Sequence, residues 1–224
     1  MTTQTERKKK DPESKKKESE PKRVVVTCTG VSSLLLNPMT PEILKTLPGS
    51  GISAGARKMR EEITPEDMAE SKVLKNEKGE MGFPVEYLFA CLVAAGRKVN
   101  FEKKTNISTA ETTLLPSFLT IEAEGDFIPF LDQTVVWETD IRRVVNKTTK
   151  GAMAAVRPKF RSWSFRVVIE VDVAEIGLDK IQQLFRVAGK TQGLGDFRPS
   201  KKGQFGRFAL TGWEVVEVAL ANAA

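Results

Sequence analysis

Apolar and polar residues alternate with a period of two in four parts of the chain, which predicts four β-strands that each bury one face. The clearest is residues 163–173 (WSFRVVIEVDV), in which every second residue is large and apolar. The other three are the first part of residues 24–36, residues 117–123 and residues 208–220. These segments are rich in β-branched and aromatic residues, which favours strands over helices.

Two other segments have helical spacing. Residues 84–95 are apolar on nearly every side, start with proline and are followed by Gly96, so a buried helix is predicted there. Residues 178–188 carry apolar side chains three or four positions apart and are followed by Gly189. Thr64 and the Pro-Glu-Asp after it have the form of a helix start, which predicts a third, short helix.

The order strand, helix, strand, strand, helix, strand predicts an α+β fold of the ferredoxin-like (RRM-like) βαββαβ type, in which two helices cover one face of an antiparallel sheet. Residues 134–160 are expected to form an inserted β-hairpin between the second and third of these strands. Long connections such as the Pro- and Gly-rich residues 37–60 complete the chain. Residues 24–224 are therefore predicted to be a single domain.

The first 23 residues have a different composition: nine are Lys or Arg, five are Asp or Glu, and none is aromatic. Such a segment cannot bury enough apolar surface to offset its ordering entropy, so a disordered tail is predicted over residues 1–23. The tail serves solubility in one interpretation and contacts nucleic acid in another. It lacks the apolar core of a signal peptide, and no apolar stretch is long enough to span a bilayer, so a cytoplasmic protein with no membrane partner is expected.

The chain contains no histidine and two cysteines. The missing histidine excludes Ser-His-Asp triads, Cys-His pairs and imidazole general bases. Two cysteines are too few for a zinc or iron–sulfur site, and Cys28 and Cys91 are expected to be buried thiols. No cofactor and no metal are therefore predicted, and any catalysis would have to use carboxylates, Lys, Tyr, Ser or Cys.

The net charge is +6, and basic residues are concentrated in two segments of the body. Residues 141–169 contain eight Lys or Arg and no acid, and residues 186–208 contain six Lys or Arg and one acid. A basic surface of this kind favours a polyanionic partner such as nucleic acid, because phosphate contacts dominate such binding. The other interpretation is a pair of solvated strand faces.

The second basic segment contains a glycine-rich loop, residues 193–208 (GLGDFRPSKKGQFGRF). Its four glycines permit positive φ and close backbone approach, and the two phenylalanines inside it can stack on bases or pack into the core. No Gly-Lys-Ser/Thr follows at the spacing of a phosphate-binding P-loop. The predicted nucleic-acid-binding residues are Arg142, Arg143, Lys147, Lys150, Arg157, Lys159, Arg161, Gly193, Gly195, Phe197, Arg198, Lys201, Lys202, Gly203, Phe205, Gly206 and Arg207.

Three elements together carry a resemblance to a known family: residues 24–36 with Gly30, residues 82–95 with their Gly-Phe-Pro start, and residues 163–208 with strand, helix, glycine loop and final strand. They resemble the repeat-associated mysterious protein (RAMP) superfamily, and within it the backbone subunits of CRISPR effector complexes. The sequence is also similar to uncharacterised proteins of phages and mobile elements.

The resemblance implies an RNA-recognition-like palm, a thumb-like hairpin at residues 134–160, and a homo-oligomer or multi-subunit complex along single-stranded RNA. Family backbone subunits that cut RNA use an Asp in the connection after the first strand. Residues 37–60 contain no Asp. Binding without cleavage is therefore expected.

The sequence thus predicts a non-catalytic protein that binds single-stranded nucleic acid, with RNA favoured, and self-associates along the strand. Three alternatives stay open: a phage-type single-stranded DNA binding or annealing protein, a histidine-free endoribonuclease, and a protein-binding or inhibitory module. For the endoribonuclease the candidate groups are Lys201, Asp196, Tyr87 and Lys159.

Overall fold

A computed structural model of the chain describes residues 20–39, 64–145 and 151–216. The strands within these residues are β1 (Lys22–Gly30), β2 (Leu34–Leu35), β3 (Gly82–Pro84), β4 (Asn100–Glu102), β5 (Thr105–Asn106), β6 (Leu119–Glu122), β7 (Phe127–Pro129), β8 (Trp137–Val145), β9 (Ala152–Phe160), β10 (Ser164–Val171) and β11 (Phe208–Val216). The α-helices are α1 (Pro65–Glu70), α2 (Val85–Gly96), α3 (Leu115–Phe118) and α4 (Leu178–Val187). The mixed α+β class predicted from the sequence is confirmed.

The largest sheet has the strand order β11-β1-β10-β6, and every neighbouring pair in it is antiparallel. Val26 of β1 lies opposite Val167 of β10 on one side and opposite Trp213 of β11 on the other. The register between β1 and β11 shifts after Thr27. Each of the four alternating sequence segments supplies one strand of this sheet.

One face of the sheet forms the main core. Val24, Val26 and Cys28 on β1 are fully buried, as period-two alternation requires for a strand with one covered face. Buried side chains of α2 and α4 belong to the same apolar cluster, and Cys91 of α2 lies in it. Both thiols are buried, as expected, and burial raises the pKa of Cys91 to about 12.

A second sheet contains the hairpin formed by β8 and β9, in the order β2-β9-β8. The hairpin register runs from Trp137 opposite Phe160 to Val145 opposite Ala152. In the sequence the hairpin lies between β6 and β10, so it projects from a connection of the main sheet. Because β2 directly follows β1, it ties the base of the hairpin to the main sheet.

Side-chain contacts stabilise the beginning of α1 and the beginning of β1. Thr64 caps α1, since its hydroxyl accepts a hydrogen bond from the N–H of Asp67 at 3.1 Å and the Asp67 carboxylate accepts in return. β1 begins at Lys22, inside the segment predicted to be a tail, and Arg23 forms an ion pair with Glu122 of β6. Residues 1–19 of that segment lie outside the described residues.

Candidate nucleic-acid interface

The glycine-rich loop lies along the connection between β1 and β2. The N–H of Asp196 donates to the carbonyl of Leu35 at 2.7 Å, and the N–H of Gly206 donates to the carbonyl of Ser33 at 2.8 Å. Within the loop, the N–H of Leu194 donates to the carbonyl of Gly206 at 2.8 Å. The loop is therefore fixed by backbone hydrogen bonds at both of its ends.

The loop glycines are required by the loop's own packing. Gly195 and Gly206 both have a φ of +70°, and a Cβ at Gly206 would lie 1.9 Å from the carbonyl oxygen of Leu194. A Cβ at Gly195 would lie 2.3 Å from the carbonyl oxygen of Leu35. Gly193 and Gly203 stand in the same tightly packed loop. Steric demand inside the protein thus accounts for these residues without a bound ligand.

The two phenylalanines of the loop have different environments. Phe205 is only 8% exposed, whereas Phe197 is 39% exposed and has a φ of +48°. A bulky residue with positive φ is unusual and costs conformational energy. The two ring centroids are 6.2 Å apart. Phe205 is therefore the buried ring of the loop, and Phe197 is the more exposed one.

The hairpin contacts the loop through Arg142. Its guanidinium carbon lies 4.7 Å from the ring centroid of Phe205 and 6.0 Å from that of Phe197, within the range of cation–π attraction. The same guanidinium donates from Nε and Nη2 to the carboxylate of Asp140 at 2.8 and 2.9 Å. The hydrogen bonds that the guanidinium donates to this carboxylate raise the pKa of Arg142.

A buried ion pair forms the second contact between hairpin and loop. Nε of Arg157 lies 2.8 Å from Oδ2 of Asp196, and the Arg157 side chain is 6% exposed. The N–H is not aligned with the carboxylate, so the contact is an ion pair without a hydrogen bond, and Nη1 has no partner among the described residues. Nearby, Nζ of Lys72 donates to the carbonyl of Val156 at 2.5 Å. Burial lowers the pKa of Lys72, and the positive charge of Arg157 lowers it further.

The other basic residues of the hairpin base are also paired. Nζ of Lys159 lies 2.6 Å from Oε1 of Glu138, and Nη2 of Arg161 lies 2.9 Å from Oε2 of the same carboxylate. The hydrogen bonds from Lys159 and Arg161 lower the pKa of Glu138. The acid-free run that predicted a basic hairpin begins at Ile141, just after Glu138 and Asp140. In the folded hairpin, acids outside that run neutralise much of its charge.

Among the predicted binding residues, the exposed cations without such pairing lie mainly on the loop. Lys201, Lys202 and Arg207 are exposed and make no ion pair with any described residue, and the same holds for Arg143 on β8. Arg198 donates to the carbonyl of Gly195 at 2.5 Å and to the Ser200 hydroxyl at 3.0 Å, which leaves its charge without a carboxylate partner. The predicted residues Lys147 and Lys150 lie outside the described residues. We define the loop rim as Phe197, Arg198, Lys201, Lys202 and Arg207.

A cleft of about 280 Å³ lies between the loop and the first turns of α2. Tyr87 and Glu86 of α2 line one wall, Asp196 and Arg198 of the loop line the other, and Asn37 completes it. Burial raises the pKa of Tyr87, and the nearby Arg198 opposes that shift. In the sequence Tyr87 and Asp196 are only separate nuclease candidates, because their proximity depends on how α2 packs against the loop.

The four nuclease candidates do not form one site. Tyr87 and Asp196 line the cleft, whereas Lys159 pairs with Glu138 in the hairpin and Lys201 is exposed on the loop. Within residues 20–39, 64–145 and 151–216, no group of three His, Cys, Asp or Glu side chains is placed to hold a metal ion. In the same ranges no helix is long and apolar enough to cross a membrane.

The fold is similar to that of a chain in the cryo-EM structure of the Type III-B Cmr-beta bound to cognate target RNA. The TM-score is 0.50 and the sequence identity is 14%, and the match covers 88% of this chain and 61% of that chain. This chain therefore matches less than two thirds of its neighbour's length, and at this identity the likeness concerns the fold alone. No family model matches the sequence, and no curated protein matches it.

Proposed function

We propose that the protein binds single-stranded nucleic acid at the loop rim, prefers RNA to DNA, and does not cut the strand. The observation that carries this proposal is the exposed ring of Phe197 in the same loop as four cations that make no ion pair with described residues. Basic side chains that track phosphates and aromatic rings that stack on bases are the two components of single-strand binding.

The fold supports this proposal. α2 connects β1 to the region of β6, and α4 connects β10 to β11, in a sheet ordered β11-β1-β10-β6. We assign this arrangement to the ferredoxin-like βαββαβ type, with the β8–β9 hairpin as its insertion. The fold neighbour comes from an assembly bound to target RNA, which supports RNA as the partner class and the resemblance to RAMP proteins.

The uncovered face of the main sheet is a poorer candidate for base stacking. It carries Val25 and Thr27 from β1 and Arg166 and Val168 from β10, none of which is aromatic. The single aromatic residue of these two strands, Phe165 of β10, is buried in the core instead. A strand of nucleic acid therefore finds its stacking ring at the loop rim and not on the sheet.

Self-association along the strand is part of the same proposal. β8 is the outer strand of its sheet, and its side chains Ile141 and Val145 are 55% and 57% exposed. An exposed apolar edge strand is a common pairing surface. Sedimentation on RNAs of increasing length should show one additional copy for each added binding-site length, whereas one copy at every length would contradict self-association.

The binding proposal is tested by fluorescence anisotropy with RNA and DNA strands of one sequence, each about 20 nucleotides long, over a salt series. We expect tighter binding to RNA and a negative slope of log K against log salt, because phosphate contacts release counterions. Equal or tighter binding to DNA would instead support a phage-type single-stranded DNA protein. The absence of any binding at low salt would refute the proposal and favour a protein-binding module.

The same incubations test the absence of cleavage. After binding, the strands are separated on a denaturing gel, with and without added divalent metal. We expect intact RNA in both cases. Metal-dependent products that track with the purified protein would establish the endoribonuclease alternative.

A further inference from the structure

The cleft beside the loop rim has an unusual set of polar groups for its size. Glu86 makes no ion pair with any described residue, and the Tyr87 hydroxyl donates to none of them. The volume of the cleft, about 280 Å³, is just below the range of about 300–1,000 Å³ that is usual for small-molecule sites. The cleft is therefore suited to one planar group and not to a helix or a duplex.

Three charged side chains of the cleft, those of Arg198, Asp196 and Glu86, lie close enough to Tyr87 to affect the pKa of its hydroxyl. The carboxylate of Asp196 already accepts the N–H of Phe197 at 2.8 Å and pairs with Arg157 behind the wall. Glu86 is thus the carboxylate whose acceptor capacity is fully available to a ligand.

Among nucleobases, guanine best matches this set of groups. Its pairing edge presents an imino N–H and an amino group side by side, next to a carbonyl oxygen, whereas adenine, cytosine and uracil offer fewer adjacent donors. A carboxylate accepts such a pair of donors, and an amide or a guanidinium donates to the carbonyl oxygen. Unpaired bases of single strands are commonly recognised in this way, together with stacking on an aromatic side chain.

We propose that the cleft takes one unpaired guanine base. Glu86 accepts the N–H groups of its pairing edge, Asn37 or Arg198 donates to its carbonyl oxygen, and the ring of Tyr87 packs against it. This inference rests on the proposed binding of a single strand at the loop rim, because Arg198 belongs to the loop rim and also lines the cleft. The guanine site adds a preference for one base to the loop rim, whose contacts to phosphates and whose stacking ring do not distinguish between bases.

The chain contains a single tyrosine, which gives a direct probe of the cleft. Incorporation of 3-fluorotyrosine places one ¹⁹F label at Tyr87, and its resonance is followed during titration with GMP, AMP, CMP and UMP. We expect GMP to shift the resonance at concentrations about tenfold lower than the other three nucleotides, which corresponds to about 1.4 kcal/mol. The Glu86→Gln variant should lose this difference, and Glu111→Gln, an exposed acid elsewhere, should keep it.

A second arm uses oligonucleotides and separates this inference from the binding proposal. A uridine tract with one central guanosine should bind the full chain about tenfold more tightly than the all-uridine tract, and Glu86→Gln should abolish that preference. Equal affinity for both tracts, with no ¹⁹F shift from any nucleotide, would overturn the guanine site while single-strand binding stands. A GMP-specific shift without binding of either tract would support the guanine site and overturn the strand proposal.

Discussion

The hairpin and the loop rim are both basic in sequence, yet the fold treats their charges differently. On the hairpin, the antiparallel register places Glu138 opposite Lys159, with which it pairs, and Asp140 pairs with Arg142 two positions along the same strand. On the loop rim, Lys201, Lys202 and Arg207 project without a carboxylate partner among the described residues. A basic segment therefore indicates a binding surface only where its cations are not already paired with carboxylates in the folded protein.

The largest expected effect concerns the ion pair of Arg157 with Asp196, which connects the hairpin to the loop. Arg157→Ala removes a side chain that is 6% exposed together with its ion pair to Asp196, and a loss of up to about 3 kcal/mol of the free energy of unfolding is expected. Urea denaturation followed by circular dichroism measures this. Arg143→Ala removes an exposed arginine from the same hairpin and should change stability by less than about 0.5 kcal/mol. Equal stability of the two variants would show that Arg157 is not a structural residue.

The next effect concerns the loop cations. Replacement of Lys201, Lys202 and Arg207 by Ala should weaken RNA binding about a hundredfold at moderate salt and reduce the salt slope by about 2, since each phosphate contact contributes about 0.7 on a single strand. Thermal stability should not change, because all three side chains are exposed. Fluorescence anisotropy over a salt series measures both quantities.

A matched control removes the same charge elsewhere. Lys98, Lys103 and Lys104 are exposed and follow the opposite end of α2. Their replacement by Ala should leave the salt slope of RNA binding close to that of the unchanged protein. If both triple variants lose affinity to the same extent, general charge and not the loop rim accounts for binding.

A smaller effect is expected from the exposed ring. Phe197→Ala should weaken RNA binding about tenfold, in the range of about 1–3 kcal/mol found for base stacking, without changing the salt slope. An abasic strand of equal length should bind the variant and the unchanged protein alike, because it offers no base to the ring. A loss of affinity for the abasic strand as well would mean that the substitution disturbs the loop cations.

The smallest effect concerns the paired face of the hairpin. The folded pKa of Glu138 is lower than its usual value near 4.5, so the stabilisation from its pairing is present above that value and is lost as the pH falls through the folded pKa. Stability curves of the unchanged protein and of Glu138→Gln should therefore differ at neutral pH and converge in acid. At neutral pH the variant also frees Lys159 and Arg161, and a slightly steeper salt slope of RNA binding is expected. An identical slope would show that these two cations stay unavailable.

The sequence located the strands and helices well because their signals are local. Period-two alternation in residues 163–173 and the Pro start of α2 depend only on neighbouring residues. The buried contacts of Lys72 with Val156 and of Arg157 with Asp196 cannot be predicted from neighbouring residues. Lys72 and the carbonyl of Val156 are 84 positions apart, and only the fold brings them together. The roles of Phe197 and Phe205 stayed open for the same reason, since exposure follows from the path of the loop and not from residue type.

Photo-crosslinking shows where on the protein surface a single strand lies. RNA that contains 4-thiouridine is irradiated with the protein, and crosslinked peptides are identified by mass spectrometry. If the strand lies on the loop rim, crosslinks are expected within residues 197–207, with Phe197 foremost. Crosslinks confined to the hairpin strands Trp137–Val145 and Ala152–Phe160, or to the uncovered face of β1 and β10, with none in the loop, would contradict binding of the strand at the loop rim.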